Sequence, residues 1–262
     1  MQYGWLPFRV NWLDAYLGFC SFVLGTVIGS FLNVVIYRLP EGLSLVSPGS
    51  CCPNCESPIR WYHNVPVVAW FLLRGRCKDC GQPISRRYPA VEVLTGLLFL
   101  GAYLVYGATL NTLIIMAFFA ALVAITFIDI DCFRIPDKIV LPGTLIALAA
   151  SIALTPGRWW EYLVAALGGS LFLLLLGLLW SGGMGMGDVK MALMMGAMLG
   201  ASTIVALFVA FLVGGVGGAL LILLGVKSRK DRIPFGPYLA LGSVVAGLFG
   251  HQILDLYMSS IA

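Results

Sequence analysis

The chain has 262 residues, of which 60% are hydrophobic and 11% charged, and its mean hydropathy is +0.95. A soluble domain carries about 25% charged residues, so this composition excludes a water-soluble globule and describes an integral membrane protein. The formal charge of +4 comes from basic residues gathered in two hydrophilic gaps, which excludes nucleic-acid binding through a broad basic face.

A bilayer core about 30 Å thick needs roughly 20 apolar helical residues to cross it. In chain order the apolar runs predict eight spans, at 15–37, 89–106, 109–128, 138–154, 162–180, 189–201, 203–226 and 235–257. The sixth is short for a crossing, which predicts a helix sunk partway in and backed by protein rather than lipid; seven spans is the alternative count. With the amino terminus outside, Arg38, Arg60, Arg74, Arg76, Lys78, Arg86 and Arg87 fall in one cytoplasmic loop, and Lys227, Arg229, Lys230 and Arg232 in another. Arg134, Lys138 and Lys190 join them, leaving Arg9 and Arg158 outside. That asymmetry orients the chain by the positive-inside rule, with both termini on the outer side. The basic flank of the first span follows the apolar run, so the span is not a cleavable signal. The expected class is an all-α integral membrane protein of about eight transmembrane helices, with a small cytoplasmic insertion between helices 1 and 2. The expected divisions are an N-terminal segment with the first span (1–37), a loop domain (38–88) and a membrane domain (89–262).

The loop carries Cys52-Pro-Asn-Cys55 and, after 21 intervening residues, Cys77-Lys-Asp-Cys80. Two such knuckles can present four thiolates to one tetrahedral Zn²⁺. Two disulfides are the bland alternative, disfavoured because the loop faces the reducing cytoplasm. A closed four-sulfur site leaves no open position for chemistry, so the zinc is read as structural, a staple for a loop with too little core of its own. Cys52 is preferred to Cys51 by spacing. Cys20 and Cys132 read as buried small residues.

Carboxylates near spans are costly and need a reason. Asp129 and Asp131 close the third span, Asp137 opens the fourth, and Asp188 opens the sixth, all at the cytoplasmic boundary. Converging carboxylates can share a proton, one activating water while the other donates to a scissile carbonyl. The bland readings are helix capping for Asp137 and Asp188 and solvated interface groups for the rest. Asp129 and Asp131 lie about 200° apart on a helix, so only one of them can join Asp188. Gly183, Gly185 and Gly187 make a turn that another segment can approach closely. That run is a poor phosphate loop, with no preceding strand and no following Lys-Ser or Lys-Thr. His63 and His251 supply no zinc-protease ligand set, and His251 with Asp255 reads as an interface pair. Glu92 suits the first turn of a helix electrostatically. Pro234 to Pro237 reads as a helix-start turn or a lining of the cleft.

Taken together, Gly29 to Pro40, the paired Cys-x-x-Cys loop with Trp61 to Asn64 and Arg74 to Cys77, Arg87-Tyr-Pro89 with Glu92, Ile128 to Asp131 with Ile135-Pro-Asp137, Gly185 to Lys190, and Pro234 to Pro237 resemble the type IV prepilin peptidases. The match runs in one order from about Gly29 to Gly242. The resemblance implies an aspartic peptidase domain at 89–262 in the bacterial cytoplasmic (inner) membrane. It implies cleavage of the short basic leader of type IV prepilins or type II secretion pseudopilins, and it maps the catalytic pair onto Asp129 and Asp188. It also implies N-methylation of the new amino terminus with S-adenosyl-L-methionine by the cysteine-bearing region, with Gly75 and Arg76 as candidate donor contacts. The partners so implied are the prepilin or pseudopilin and the lipid bilayer, with no nucleic acid. Three rival readings are a leader peptidase without methyltransferase activity, a transporter using the carboxylates as a proton relay, and a non-catalytic scaffold. The transporter predicts inverted repeats and midplane charges, whereas these carboxylates sit at the membrane edge.

Overall fold

A computed structural model of the chain describes residues 12–52, 54–179, 184–226, 228 and 233–261. Arg9, Gly183, Lys227, Arg229, Lys230 and Arg232 lie outside the described residues. Among those described, the long elements are all helices: α1 (Trp12–Arg38), α3 (Arg87–Tyr106), α4 (Leu110–Cys132), α5 (Asp137–Leu154), α6 (Trp159–Leu179), α7 (Met186–Leu199), α8 (Thr203–Leu223) and α9 (Gly236–Ile261), with a short α2 (Val68–Leu72) in the loop between α1 and α3. Each expected span has its helix, and the protein is an all-α, multi-pass membrane protein.

The choice between seven and eight spans turns on α7. Among the described residues seven helical stretches are long and apolar enough to cross a membrane, and Met186–Leu223 counts as one of them. Within it, the 14 residues of α7 rise about 21 Å, short of the bilayer core. A 3₁₀ turn at Gly200–Ser202 then leads into α8. Nearly all of α7 from Asp188 to Leu199 is buried, on every side of the helix, because α5, α6 and α9 pack around it. A short helix at membrane depth is tolerated when protein replaces lipid around it.

The chain divides into two compact units. The described part of the first is 12–31 with 50–112. Here α1 and α3 meet backbone to backbone: a Cβ at Gly25 would stand 2.7 Å from the Gly96 Cα, and one at Gly29 would stand 2.7 Å from the Glu92 Cα. Small residues four apart allow this approach, and van der Waals contact then supplies the adhesion that the hydrophobic effect does not provide between helices in lipid. Glu92 does more than the helix-end electrostatics expected of it. It is buried, and its Oε2 accepts the Val67 N–H at 2.7 Å. Val67 sits at φ 62°, ψ −54°, while Val68 N–H donates to the Pro66 carbonyl at 2.6 Å. This is a γ-turn of the strained hand, which survives only where surrounding contacts over-determine it.

The second unit comprises 32–49 and the chain from Leu113 onward. Gly196 of α7 leaves room for the backbone of Ala165 and Ala166 in α6, and Gly242 of α9 leaves room for Ala206 in α8. Ser151 Oγ of α5 donates to the Ala197 carbonyl of α7 at 2.9 Å, and a Cβ at Gly247 of α9 would lie 3.1 Å from the Phe119 ring of α4. Helix α4 runs four residues past its expected end, through both Asp129 and Asp131. It stops where Phe133 turns to φ 52° and its N–H caps the Asp129 carbonyl at 2.9 Å, the usual left-handed helix ending.

Replacing Glu92 with Ala leaves the Val67 N–H without its acceptor and destabilises the first unit by about 1–3 kcal/mol. Limited proteolysis between α1 and α3 should accelerate in Glu92→Ala but not in Glu92→Gln, which keeps an acceptor oxygen; equal rates for Glu92→Ala and the parent chain would refute the tie.

Candidate active site

The second unit buries two of the four membrane-edge carboxylates. Asp129, on the last turn of α4, is 5% exposed, and Asp188, in the first turn of α7, is 8% exposed. Asp131, two residues further on, is exposed, as the 200° offset along a helix requires. The two buried carboxylates thus stand at helix ends of one unit, Asp129 at the close of α4 and Asp188 at the opening of α7.

Each is held by one glycine N–H. Gly185 precedes α7 in an extended conformation, φ −80° and ψ 147°, and its N–H donates to Asp188 Oδ2 at 3.0 Å. The capping role considered for Asp188 is therefore real. Gly236 begins α9, and its N–H donates to Asp129 Oδ2 at 3.0 Å. The position of Gly187 in the first turn of α7 is also tight, since a Cβ there would stand 2.9 Å from the Ile135 Cβ.

Asp137 does not cap α5 with its side chain. Its carboxylate instead takes the Lys190 ammonium on both oxygens, at 2.8 Å each, because Lys190 on α7 faces the start of α5. This partly exposed pair links α5 to α7 just beyond Asp188. Asp131 and Glu41 line a cavity of about 340 Å³ with Ile36, Tyr37, Pro40, Leu43 and Cys132. Cys132 is thus exposed, not buried as its apolar neighbourhood suggested, and Cys20 is only partly covered. His251 and Asp255 are both exposed on α9.

In the first unit, the Sγ atoms of Cys52, Cys55, Cys77 and Cys80 lie within 4.8 Å of one another. A tetrahedron with Zn–S bonds of about 2.3 Å has edges of about 3.8 Å, and Cys52 and Cys80 are 3.8 Å apart. The four sulfurs therefore fit a metal ion. The two knuckles are built alike. Cys52 N–H donates to Ser57 O and Glu56 N–H returns to Cys52 O; Cys77 N–H donates to Gln82 O and Gly81 N–H returns to Cys77 O. The residue after each second cysteine is left-handed, Gly81 at φ 71° and Glu56 at φ 55°. Cys51 pairs by backbone with Pro58 and stays outside the cluster. All seven cysteines are free thiols, so the disulfide alternative is not adopted.

Residues 116–223 match the Type IV leader peptidase family, and residues 23–106 match the Bacterial Peptidase A24 N-terminal domain. The prepilin leader peptidase/N-methyltransferase of Aeromonas hydrophila is 36% identical over 275 residues, covering 91% of this chain and 93% of that protein. The chain belongs to the type IV leader peptidase family. The Bacillus subtilis protein of the same name is 33% identical over 239 residues, covering 90% of this chain and 96% of its own. That of Myxococcus xanthus is 38% identical over 208 residues, 77% of this chain and 62% of its own. No solved structure matches the chain.

Two residues of this family member escaped the sequence reading. Gly236 was visible only as part of a helix-start turn, and Glu92 only as a first-turn charge. A glycine wedged between Phe235 and Pro237 at a helix start was the available signal for Gly236.

The thiols of the cluster are unequal. The Ser57 hydroxyl and then its backbone N–H lower Cys55 to about 7, and the backbone N–H groups of Cys80 and Asp79 hold Cys77 below its ordinary value. The Gln82 N–H pulls Cys80 down, but desolvation and the other three sulfurs together outweigh it and push Cys80 up to about 11. Elemental analysis should find one metal ion per chain, lost in Cys52→Ser and kept in Cys51→Ser. Because protons compete for the thiolates, acidification releases the ion. In chelator-treated protein near neutral pH, alkylation mapped by mass spectrometry should reach Cys55 before Cys80.

Proposed function

We propose that this protein is an aspartic endopeptidase of the bacterial inner membrane. It cleaves the basic leader of type IV prepilins or type II secretion pseudopilins at the cytoplasmic face, and it methylates the new amino terminus with S-adenosyl-L-methionine. Family membership supports the reaction class, and the reading rests on one observation, the burial of both Asp129 and Asp188 in one unit, each held by a glycine N–H at a helix start.

In this reading Asp129 and Asp188 are the catalytic pair and share one proton. The ionised member takes a proton from water, whose hydroxide adds to the scissile carbonyl carbon, and the protonated member donates to the carbonyl oxygen. Collapse of the tetrahedral intermediate expels the new amino terminus, which leaves with the proton gained by the first carboxylate, while the second carboxylate takes back the proton it gave to the carbonyl oxygen, restoring the pair. The Gly185 and Gly236 N–H groups engage one oxygen of each carboxylate, leaving the other oxygen of each for water and substrate.

The basic residues flanking α1 and α3 orient the Cys-bearing loop and this pair toward the cytoplasm, with both termini outside. A prepilin presents a cationic leader followed by an apolar helix, so its scissile bond lies at the depth where we place the pair. Glu41 and Asp131, lining the cavity beside the end of α4, suit a cationic segment.

We assign the metal to Zn²⁺, held by Cys52, Cys55, Cys77 and Cys80, in a structural role within a loop domain at 38–88, with the peptidase domain at 89–262. For the methyl donor, the space beside Gly75 is taken by Trp70, whose ring lies 2.8 Å from where a Cβ would stand. Gly75 is itself required by the turn, at φ 65°. Of the two candidates, the exposed Arg76 is the one retained, its guanidinium suiting the donor's carboxylate.

The deciding experiment incubates the purified protein with a prepilin and S-adenosyl-L-methionine and weighs the product, whose mass separates cleavage, cleavage with methylation, and neither. Asp129→Asn and Asp188→Asn should each lower the cleavage rate by about 10²–10⁴-fold while still inserting; normal processing by either defeats the assignment. Cys52→Ser or Cys77→Ser should impair methylation more than cleavage, and equal loss of both would point to global misfolding.

A further inference from the structure

We propose that Gly236 is a positioning residue for Asp129: its N–H fixes one carboxylate oxygen, and its missing side chain makes the space that oxygen occupies. The proposal rests on Asp129 being one of the catalytic pair and goes beyond it by assigning a job to the turn at Pro234 to Pro237.

Three observations carry it. The first concerns where the N–H goes. The opening N–H groups of a helix have no intrahelical acceptor, and water or a nearby capping side chain ordinarily satisfies them. At the start of α9, Tyr238 and Leu239 donate to the Phe235 carbonyl, Pro237 has no N–H to give, and the Gly236 N–H goes to Asp129 Oδ2 at 3.0 Å, a residue 107 positions earlier. The helix start thus offers one donor at this point, and the buried carboxylate takes it.

The second concerns why the residue is glycine. Among the described residues the left-handed glycines are Gly42, Gly75, Gly81, Gly107, Gly200 and Gly225, and Gly236 is not among them. A positive φ therefore does not explain the glycine. Space does: a Cβ at 236 would stand 2.6 Å from Asp129 Oδ2, 3.1 Å from its Cγ and 3.3 Å from its Cβ. The atoms in the way belong almost entirely to this one carboxylate side chain.

The third concerns rigidity. The Phe235 ring packs against Phe211 of α8 at 5.3 Å and against Tyr238 at 6.3 Å, and a Cβ at Gly214 would lie 3.4 Å from Phe235. The turn is anchored to α8 on one side and holds Asp129 of α4 on the other, so the donor is preorganised before substrate arrives.

The test uses the full-length enzyme in detergent with a prepilin substrate and compares four variants. Gly236→Ala keeps the N–H and adds the collision. Incorporating glycolic acid at 236 turns the amide into an ester, which removes the N–H and adds no bulk, while weakening the Phe235 carbonyl that accepts from Tyr238 and Leu239. Gly215→Ala, on α8 in open space, is the control for an added methyl, and Asp129→Asn reports on the underlying assignment. A carboxylate displaced by about 1 Å lowers kcat by about 10²-fold, so Gly236→Ala and the ester should both show that loss with KM unchanged, while Gly215→Ala behaves as the parent. Parent-like kcat in the ester overturns the proposal. So does a parallel loss of kcat, KM and thermal stability in the ester, which would mark a merely structural turn. Should Gly236→Ala fail to fold, the ester decides alone. Cleavage by Asp129→Asn at the parent rate would instead bring down the catalytic reading on which this one rests.

Discussion

A carboxylate withdrawn from water inside an apolar helical protein must find hydrogen-bond donors, and in this protein the donors are backbone. Asp129 and Asp188 are both nearly buried, and each takes one glycine N–H at the start of a helix. A helix start is a natural place for an anion, since its N–H groups lack internal partners and its dipole favours negative charge. The arrangement uses α7 and α9 as donors and brings the side chains of α4 and α7 to them. No Lys or Arg is bonded to either carboxylate among the described residues. Such a cation would hold its partner ionised, whereas the pair, in the catalytic role proposed for it, needs surroundings that leave a shared proton free to move.

That arrangement constrains the rest of the second unit. Helix α7 has to keep Asp188 buried at its opening, so it is packed on all sides and cannot run the full width of a bilayer. Its fit depends on missing side chains: Gly196 against α6, Gly187 against Ile135 and, on α9, Gly242 against α8. In lipid, where apolar burial does not discriminate helix from helix, close backbone approach is the main source of specificity. The Lys190 to Asp137 pair adds a polar tie between α7 and α5, of modest worth because it is partly exposed.

The loop of the first unit solves a different problem. Much of its apolar surface stays exposed, Val65, Val68, Phe71 and Leu72 among it, and it gains order from two sources, a cluster of four sulfurs spaced for a metal ion and the Glu92 carboxylate that pins the Val67 turn. The first ties the two knuckles to each other, and the second ties the segment before α2 to α3. Trp70 completes the second knuckle by donating its indole N–H to the Ile84 carbonyl at 3.1 Å while covering Gly75.

Composition and local spacing determined a good deal on their own. The membrane class, the helices and their order, the shortness of α7, the four clustered cysteines and the separation of Asp129 from Asp131 all follow from runs and intervals that one stretch of chain contains. The same local reading fell short for Asp137, Glu92 and Cys132, and at Gly236 it found the helix-start turn but not the partner of its N–H. In each, a side chain or N–H has its partner or its exposure set by a segment far along the chain: Lys190 for Asp137, Val67 for Glu92, Asp129 for Gly236. Periodicity states which face a residue occupies but not which helix meets that face, and hydrogen bonds between distant helices exist only once packing has chosen the neighbours. The carboxylate pair lies on that boundary, since its residues could be picked out in the sequence and their burial, with a glycine donor for each, was decided by the way α4, α7 and α9 pack.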